Sequence, residues 1–335
     1  MSERTMRAAV YPRGSGSAEL RTVPRPIPGK DDVVVRLIRA AFNRNDLMTA
    51  NDPSRDRDAI LGSDGAGYIA ALGPETSRLA IGDPVVLDPG LGWGTNHEAP
   101  DPGFQILGYP TNGTHAEYVV VPAANVHPKP ENLTWDEAAA LPLAGVTAWR
   151  ALVTRGDLRS GELVLITGAG GGVATYLIQV ATALGAQVAV TSSSQVKLEF
   201  ATTLGASAGV LYTVPGWPEE IREMVGPADL VVDSSGVWGP ALTSLRPGGR
   251  LVTIGRTRRS ETSVDVHDVF WKQVSILGSS MGSPSDFRRL LEHVSNADWR
   301  PQIDSVWDLS DYDAAVQRLD QGDRVGKVVL HIADE

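Results

Sequence analysis

A glycine-rich stretch that follows a short apolar segment is the part of the sequence with the clearest chemistry. The segment LVLIT at 163–167 runs directly into Gly168, Ala169, Gly170, Gly171, Gly172 and Val173, and apolar residues at helical spacing follow. Glycines permit a tight turn after a strand, and the N–H groups that open the next helix bind a pyrophosphate. A tight turn without a ligand is the alternative. The pattern favours a dinucleotide site on Gly168, Gly170, Gly171, Gly172 and Val173.

The residues after the next apolar segment indicate which dinucleotide binds. In NAD sites, an acidic residue about 20 positions after the glycine turn binds the ribose 2′-OH. Here QVAVT at 187–191 is followed by Ser192, Ser193 and Ser194, and then by Lys197. Hydroxyls and an ammonium suit a 2′-phosphate, since each hydrogen bond to a charged group contributes about 1.5–3 kcal/mol. Ser194 could instead cap the following helix. We therefore predict NADPH as the cofactor.

Composition and charge exclude several classes of function. The formal net charge of −10 opposes general binding to nucleic acid, so an anionic cofactor needs a local basic site. The absence of cysteine removes disulfides, thiolate metal ligands and cysteine nucleophiles. No segment reaches the roughly 20 apolar residues of a membrane span, and the start lacks a signal-peptide core. We expect a cytoplasmic protein that binds neither nucleic acid nor membrane.

Two kinds of pattern divide the 335 residues. Up to about residue 125, short apolar segments are separated by Gly, Pro and Asp, which is typical of a mostly β domain. Residues 89–114 are rich in Gly, Pro and Asn and predict a long loop. From residue 163, runs of Val, Ile and Leu alternate with helical segments, which indicates a doubly wound parallel sheet. Further helices are predicted near 285–294 and 312–319, before a final strand.

Collinear motifs extend over nearly the whole chain. They are AAFNRNDL at 40–47, LGSDGAGYIAALG at 61–73, GDPVV at 82–86, GTHAEYVVVP at 113–122, EAAALPLAGVTAW at 137–149, GAGGGVATYLIQVATALGA at 168–186, RPGGRLVTIG at 246–255 and VGKVVL at 325–330. Together they resemble the medium-chain dehydrogenase/reductase superfamily, specifically its zinc-free quinone-oxidoreductase-like branch. The resemblance implies an α/β fold in which a Rossmann domain with a doubly wound parallel sheet, at 145–278, is beside a GroES-like, mostly β substrate domain. The latter is built from 1–144 and 279–335, with a cleft between the two domains.

The same resemblance indicates where zinc-dependent relatives hold metal. Their cleft zinc is bound by a Cys, a His and a second Cys, and the matching positions here are Asn43, Ser63 and Leu143. The stretch 90–108 matches the lobe that holds a structural zinc on four cysteines, and it contains none. The six histidines show no close spacing that would rebuild a tetrahedral site. We therefore expect no bound metal.

The resemblance also implies roles for residues that contact the substrate. Asn43 is the candidate to hold the substrate oxygen or the nicotinamide amide, although an Asn that stabilises a turn is the alternative. Thr147 is expected to contact the nicotinamide side of the cofactor. Asp46 and Asp64 are expected to organise the site as hydrogen-bond acceptors, and action as acids is the alternative. Ser63 could donate to the substrate, and an exposed serine without a role is the alternative.

Two later glycine and lysine positions are assigned to the cofactor. Gly255 follows a predicted strand and should bring its backbone close to the nicotinamide, because open α/β sheets bind ligands at the carboxyl ends of strands. Lys327 matches a basic position that reaches the pyrophosphate in relatives. A solvated surface lysine is the alternative.

Without a metal, the chemistry favours conjugated acceptors. A bound metal would contribute several kcal/mol to stabilising the alkoxide formed from a simple ketone. Hydride addition to an enone or a quinone spreads the charge, so ordinary hydrogen-bond donors can stabilise it. We predict an NADPH-dependent quinone or enone reductase, with a small-molecule carbonyl or quinone as its substrate. A metal-free alcohol/ketone dehydrogenase and an NADPH-binding regulatory or interaction protein stay open as alternatives. A homodimer formed by an edge strand near 274–278 is expected from the family and from the prevalence of two-fold symmetry.

Overall fold

The structure is a computed structural model that describes residues 4–76 and 78–335, and the chain divides into two units. The first unit contains the residues up to Leu143 together with Ser283–Glu335, and the second unit contains Ala144–Gly282. The sequence predicted domain boundaries directly after residue 144 and directly after residue 278. Among the described residues, no helix is long and apolar enough to span a membrane.

The amino-terminal part of the first unit is mostly β, as its turn-rich sequence predicts. Its strands are β1 (Thr5–Tyr11), β2 (Glu19–Pro24), β3 (Asp32–Ala41), β4 (Ala59–Ile60), β5 (Asp64–Leu72), β6 (Pro84–Leu87), β7 (Gly90–Leu91), β8 (Gln105–Ile106), β9 (Tyr118–Pro122) and β10 (Val126–Pro128). Its helices are α1 (Arg44–Ala50), α2 (Trp135–Ala140) and a 3₁₀ turn at Ala123–Asn125.

Strands and helices alternate along the second unit, and the first helix begins with two residues of the first unit, Pro142 and Leu143. These elements are α3 (Pro142–Trp149), a π-helix (Arg150–Arg155), β11 (Leu163–Thr167), α4 (Gly172–Ala183), β12 (Gln187–Ser192), α5 (Gln195–Thr203), β13 (Ala208–Leu211), α6 (Trp217–Val225), β14 (Ala228–Asp233), α7 (Trp238–Ser244), β15 (Leu245–Thr253), α8 (Val266–Trp271) and β16 (Ser275–Gly278). The chain then completes the first unit with α9 (Pro284–Ser295), β17 (Ile303–Asp308), a 3₁₀ turn (Leu309–Asp311), α10 (Tyr312–Asp320) and β18 (Lys327–His331).

The second unit contains one parallel sheet with the strand order β13-β12-β11-β14-β15-β16. Numbered within this unit, the order is 3-2-1-4-5-6, which is that of a Rossmann domain. Four of the five residues of β11 are buried, as expected where helices cover both faces of a parallel sheet. The strand order reverses between β11 and β14, and open α/β sheets bind ligands at such a point. The predicted α/β fold class is confirmed.

The main sheet of the first unit joins both ends of the chain. Its order is β10-β6-β5-β3-β18-β17, and β9 also pairs with β3. The carboxyl-terminal strand β18 pairs antiparallel with β3, with Val329 opposite Ala41, and β5 pairs with the same end of β3, with Asp64 opposite Ala41. The starts of β18 and β5 therefore meet where β3 ends and α1 begins.

The segment predicted as a long loop, residues 89–114, contains one short hairpin. The strands β7 and β8 pair antiparallel within it, and the rest has no strand or helix. Trp93 is buried against Phe104, with the ring centroids 5.2 Å apart, and its Nε1 donates to the Asn96 carbonyl oxygen at 2.9 Å. These local contacts order the segment despite its high content of Gly and Pro.

Candidate functional site

The turn after β11 has the backbone that a phosphate-binding loop requires. Gly168 (φ +84) and Gly170 (φ +94) are both in the left-handed region, which favours glycine. The backbone N–H groups of Gly168 and Ala169 donate to the Thr191 carbonyl oxygen at 3.0 and 2.7 Å, which ties the turn to β12. Gly171 caps α4 and has no side chain to bond the first N–H groups of the helix. These N–H groups have no intrahelical partner, so they can bind an anion.

The residues predicted to bind the 2′-phosphate lie at the carboxyl end of β12 and at the start of α5. Ser192 is buried, Ser193 is exposed, and Ser194 is the N-cap of α5. The Ser194 side chain makes no capping hydrogen bond, so the alternative role considered for it is not realised. Lys197 lies against the glycine turn, because a Cβ placed on Gly170 would come 2.8 Å from its Cδ. Lys197 is thus close to the dinucleotide turn.

A buried aspartate joins the strand ends at the point where the strand order reverses. Asp233 accepts hydrogen bonds from Thr167 Oγ1 at 2.8 Å, from Ser235 Oγ at 2.6 Å and from Gly236 N at 2.8 Å. It therefore links the end of β11 to the loop after β14. Asp233 was not among the site residues predicted from the sequence, although a polar DSS triplet directly after an apolar strand was a usable signal.

Gly255 follows β15 beside the same strand ends. A Cβ at this position would come 3.3 Å from the Ser234 carbonyl oxygen, so the two backbone segments lie close together. Thr147 is buried on α3 in the same unit. Their predicted contacts with nicotinamide stay predictions.

The loop after β15 supplies a basic side chain that the sequence analysis also missed. The Arg258 guanidinium lies over the Tyr212 ring, with Cζ 4.7 Å from the ring centroid. Tyr212 directly follows β13, and its N–H donates to the Ser192 carbonyl oxygen at 3.0 Å. Because 46 residues separate Arg258 from Tyr212, no local sequence signal could have placed the two side chains together.

In the first unit, a polar cluster is buried where β18, β3, β5 and α1 meet. The Lys327 ammonium donates to Asn43 Oδ1 at 2.6 Å and to Asp64 Oδ2 at 2.8 Å. Asn43 Nδ2 donates to the same Asp64 oxygen at 2.9 Å, and Asp64 Oδ1 accepts from Leu143 N at 2.8 Å. The exposed fractions are 7% for Asn43, 0% for Asp64 and 2% for Lys327. Lys327 is therefore not the solvated surface lysine considered as an alternative.

This network fixes the orientation of the Asn43 amide. An ammonium only donates and an ionised carboxylate only accepts, so Oδ1 must face Lys327 and Nδ2 must face Asp64. One Nδ2–H remains beyond the bond to Asp64, since an amide nitrogen has two donors. The cluster can thus offer an N–H group of fixed direction to an oxygen that gains negative charge.

Asp46 lies beside this cluster in the first turn of α1. Its Oδ2 accepts from Asn43 N at 2.7 Å. Burial raises the pKa of Asp46 to about 7, with nearby Asp64 acting in the same direction, while the hydrogen bond from Asn43 and the charge of Lys327 oppose the shift. Ser63 is fully buried, and its Oγ donates to the Leu107 carbonyl oxygen at 2.8 Å. Donation from Ser63 to a substrate would require breaking that bond.

The three positions that match zinc ligands of relatives do not fit a zinc ion. Asn43 is bonded to an ammonium, which would repel a dication, Ser63 is bonded to backbone, and Leu143 has no ligand atom in its side chain. Zinc sites use thiolate, imidazole and carboxylate ligands. Within the residues that the structure describes, no group of three or more His, Asp or Glu side chains could hold a metal ion.

Known proteins resemble the chain in both units. The family model described as alcohol dehydrogenase GroES-like domain matches residues 29–131, and the one described as zinc-binding dehydrogenase matches residues 172–296. The zinc-type alcohol dehydrogenase-like protein YogA of Leptosphaeria maculans is 33% identical, over 94% of this chain and 94% of its own. The acryloyl-coenzyme A reductase of Sulfurisphaera tokodaii is 28% identical, over 97% and 99%.

Structural similarity extends over the same range. A crystal structure of an NAD-dependent alcohol dehydrogenase matches with a TM-score of 0.92 and 38% identity, over 98% of this chain and 100% of that one. Sequence relatives of at least 30% identity and this structure all cover nearly the full length. The chain therefore belongs to the medium-chain dehydrogenase/reductase superfamily of oxidoreductases.

Proposed function

We propose that the protein is an NADPH-dependent, zinc-independent oxidoreductase that transfers hydride to a quinone or to an α,β-unsaturated carbonyl compound. The observation that carries this proposal is the buried cluster of Asn43, Asp64 and Lys327. Asn43, one of the three positions that match metal ligands of relatives, offers an oriented N–H donor, and the adjacent ion pair of Lys327 and Asp64 holds its amide in place. Such groups stabilise a spread enolate charge, whereas a localised alkoxide benefits more from a Lewis acid.

We assign cofactor binding to residues of the second unit and contact with the substrate oxygen to a residue of the first unit. NADPH, when bound, supplies the hydride. In the second unit, the backbone of Gly168, Gly170, Gly171, Gly172 and Val173 binds the pyrophosphate, and Thr147 and Gly255 position the nicotinamide. In the first unit, Asn43 donates to the carbonyl oxygen while the hydride reaches the conjugated carbon. A proton from solvent completes the reduction, so the acceptor gains two electrons and two protons.

The preference for NADPH rests on the end of β12. An NAD site has an acidic residue at the end of the second strand of the sheet. The corresponding segment of this chain contains Ser192, Ser193, Ser194 and Lys197. The side chain of Lys197 lies against the glycine turn, and its residue follows the strand end where the ribose of a dinucleotide is expected. The name of the similar crystal structure gives NAD as the cofactor of that protein, so it does not support NADPH here. The proposed preference of this chain for NADPH therefore rests on its own residues.

The names of relatives support both the proposed acceptor and its main alternative. Acryloyl-coenzyme A, in the name of one relative, is a conjugated thioester, which favours an α,β-unsaturated acceptor here. Other relatives are named alcohol dehydrogenases, which favours the metal-free alcohol/ketone dehydrogenase. An NADPH-binding regulatory or interaction protein would bind cofactor without turnover.

We also propose that the protein forms a homodimer through the second unit. Strand β16 is at the end of the sheet order, and the nearby helix α8 exposes Val266 (72%), Phe270 (57%) and Trp271 (72%). An edge strand flanked by exposed apolar side chains is a surface that a second copy can cover by two-fold pairing.

An assay of NADPH oxidation across quinones, enones and saturated ketones separates the three functions. We expect turnover with conjugated acceptors, and a loss of about hundredfold to thousandfold in kcat for Asn43→Ala, which is the typical cost of removing one oxyanion donor. Asn45→Ala, on the same helix and outside the cluster, is the matched control. Turnover restricted to simple ketones would favour the dehydrogenase, and cofactor binding without any turnover would favour the regulatory protein.

A further inference from the structure

A basic side chain from a distant loop lies at the strand ends where the cofactor ribose is expected. Strands β12 and β13 are parallel, with Ser192 opposite Leu211, so Tyr212 lies beside Ser193 at the carboxyl edge of the sheet. The Arg258 guanidinium lies over the Tyr212 ring. Arg258 therefore belongs to the same end of the sheet as the serines predicted to bind the 2′-phosphate.

The loop that carries Arg258 is held by backbone contacts to the end of β14. Thr257 N donates to the Ser234 carbonyl oxygen and Arg258 N to that of Ser235, both at 3.0 Å. Gly236 (φ +79) permits this packing, because a Cβ there would come 2.2 Å from the Arg259 carbonyl oxygen. Backbone hydrogen bonds therefore hold Arg258 in place, in addition to the contact between its side chain and the Tyr212 ring.

The hydrogen-bonding capacity of Arg258 is unused. Over residues 4–76 and 78–335, its guanidinium donates no hydrogen bond and joins no ion pair, and its side chain contacts the Tyr212 ring. A guanidinium has five N–H donors in a rigid fork that matches a phosphate, and stacking on an aromatic ring restricts its movement. Arg258 is exposed, so its N–H donors are accessible to an anionic ligand.

The strand order decides which phosphate this arginine would reach. The pyrophosphate turn follows β11, β12 comes next in the sheet, and β13 is the outer strand. Tyr212 is therefore beyond β12 on the side away from the pyrophosphate turn, which is the ribose 2′ side of a bound dinucleotide. The Arg258 backbone lies at the end of β14, and its side chain extends across the strand ends to place the guanidinium over Tyr212 on that side.

We propose that Arg258 binds the 2′-phosphate of NADPH and, with Lys197, sets the preference of the protein for NADPH over NADH. Tyr212 is a positioning residue that holds the guanidinium through its ring. This proposal rests on the proposed use of NADPH. It adds a residue that determines the preference for NADPH and that lies outside the motif formed by β11, the glycine turn and α4.

Calorimetric titration of the full chain with 2′,5′-ADP and with 5′-AMP tests the subsite without any need for turnover. The wild-type protein should bind 2′,5′-ADP more tightly. Arg258→Ala should weaken 2′,5′-ADP about tenfold to hundredfold, the loss of one or two charged hydrogen bonds, and leave 5′-AMP within about twofold. Arg259→Ala removes the same charge from the adjacent position and should have little effect. Tyr212→Phe should preserve binding, whereas Tyr212→Ala should weaken 2′,5′-ADP selectively.

The results distinguish a failure of the role proposed for Arg258 from a failure of the proposed use of NADPH. If the wild type prefers 2′,5′-ADP and Arg258→Ala retains that preference, the inference is wrong while NADPH use stands. Equal losses for Arg258→Ala and Arg259→Ala would show a general charge effect and also overturn it. A wild type that binds both probes equally would contradict the NADPH proposal itself, and the role of Arg258 with it.

Discussion

The Lys327 ammonium lies 2.8 Å from Asp64 Oδ2 with both side chains buried, and the two residues come from opposite ends of the chain. Removing one partner of a buried ion pair leaves an uncompensated charge, which typically costs about 3–5 kcal/mol. We expect Lys327→Met to lower the free energy of unfolding by that amount, as measured by denaturant titration. Lys327→Met combined with Asp64→Asn should recover most of the loss, because the pair is then neutral and the introduced amide still offers an acceptor to Leu143 N. A loss below about 1 kcal/mol for Lys327→Met would contradict a buried pair.

The raised pKa of Asp46 predicts a pH dependence of stability. Below pH 3.8 the carboxyl is protonated in both the folded and the unfolded state and contributes nothing. Between pH 3.8 and about 7 the unfolded state loses its proton first, so this group lowers stability as pH rises through that range. Asp64 and Lys327 are the charged groups that face it.

Replacement of Asp46 isolates this effect. Asp46→Asn should become more stable relative to the wild type as pH rises from 4 to 8, as followed by denaturant titration at each pH. Asp320→Asn, at an exposed position, should track the wild type across the same range. A constant difference between Asp46→Asn and the wild type would show that burial does not raise the pKa of Asp46.

Much of the fold was predictable from the sequence, and specific features explain why. The helices expected near 285–294 and 312–319 are observed as Pro284–Ser295 and Tyr312–Asp320, because their apolar residues recur at helical spacing. The parallel sheet followed from continuous Val, Ile and Leu runs. Local patterns of this kind report on secondary structure directly.

The side-chain clusters were less predictable because they depend on pairing between remote segments. The environment of Lys327 is set by β18 pairing with β3, which brings together residues 284 positions apart. A lysine that opens an apolar strand gives no local sign of a buried carboxylate partner. The cofactor contact assigned to Lys327 from the resemblance stays a prediction, as do the roles of Asn43, Ser63 and Thr147.

Lys197→Ala should weaken NADPH and leave NADH nearly unchanged, because NADH lacks the 2′-phosphate that the lysine is proposed to bind. A decrease of about tenfold or more in NADPH affinity is expected from one charged contact. Fluorescence titration with both cofactors measures the difference, and Lys30→Ala, at an exposed site of the first unit, is the control.

The dependence on salt concentration shows whether Lys197 or the serines at 192–194 cause the preference for NADPH. An exposed ion pair is screened over a Debye length of about 10 Å at 0.1 M, so the preference for NADPH should shrink as salt is added. If the two cofactors weaken alike in Lys197→Ala, the lysine supports the turn or the pyrophosphate instead. A preference that persists unchanged at high salt would assign it to the serines at 192–194.

Trp271→Glu should dissociate the proposed dimer, because it places a charge in an apolar surface next to the edge strand β16. Sedimentation at several concentrations should show a dimer for the wild type and a shift toward monomer for the variant. Leu20→Glu changes an exposed apolar residue of the first unit and should leave the dimer intact. A monomeric wild type would refute the assembly without affecting the proposed reaction.

We propose that the Asn43, Asp64 and Lys327 cluster takes the place of a metal ion in the reduction of conjugated acceptors. The most direct measurement is the rate of NADPH oxidation with an enone and with its saturated ketone, on protein whose zinc content is determined by elemental analysis in the same sample. We predict turnover of the enone at substoichiometric zinc, unaffected by a chelator, and little turnover of the saturated ketone. Stoichiometric zinc, or activity that a chelator abolishes, would contradict the account.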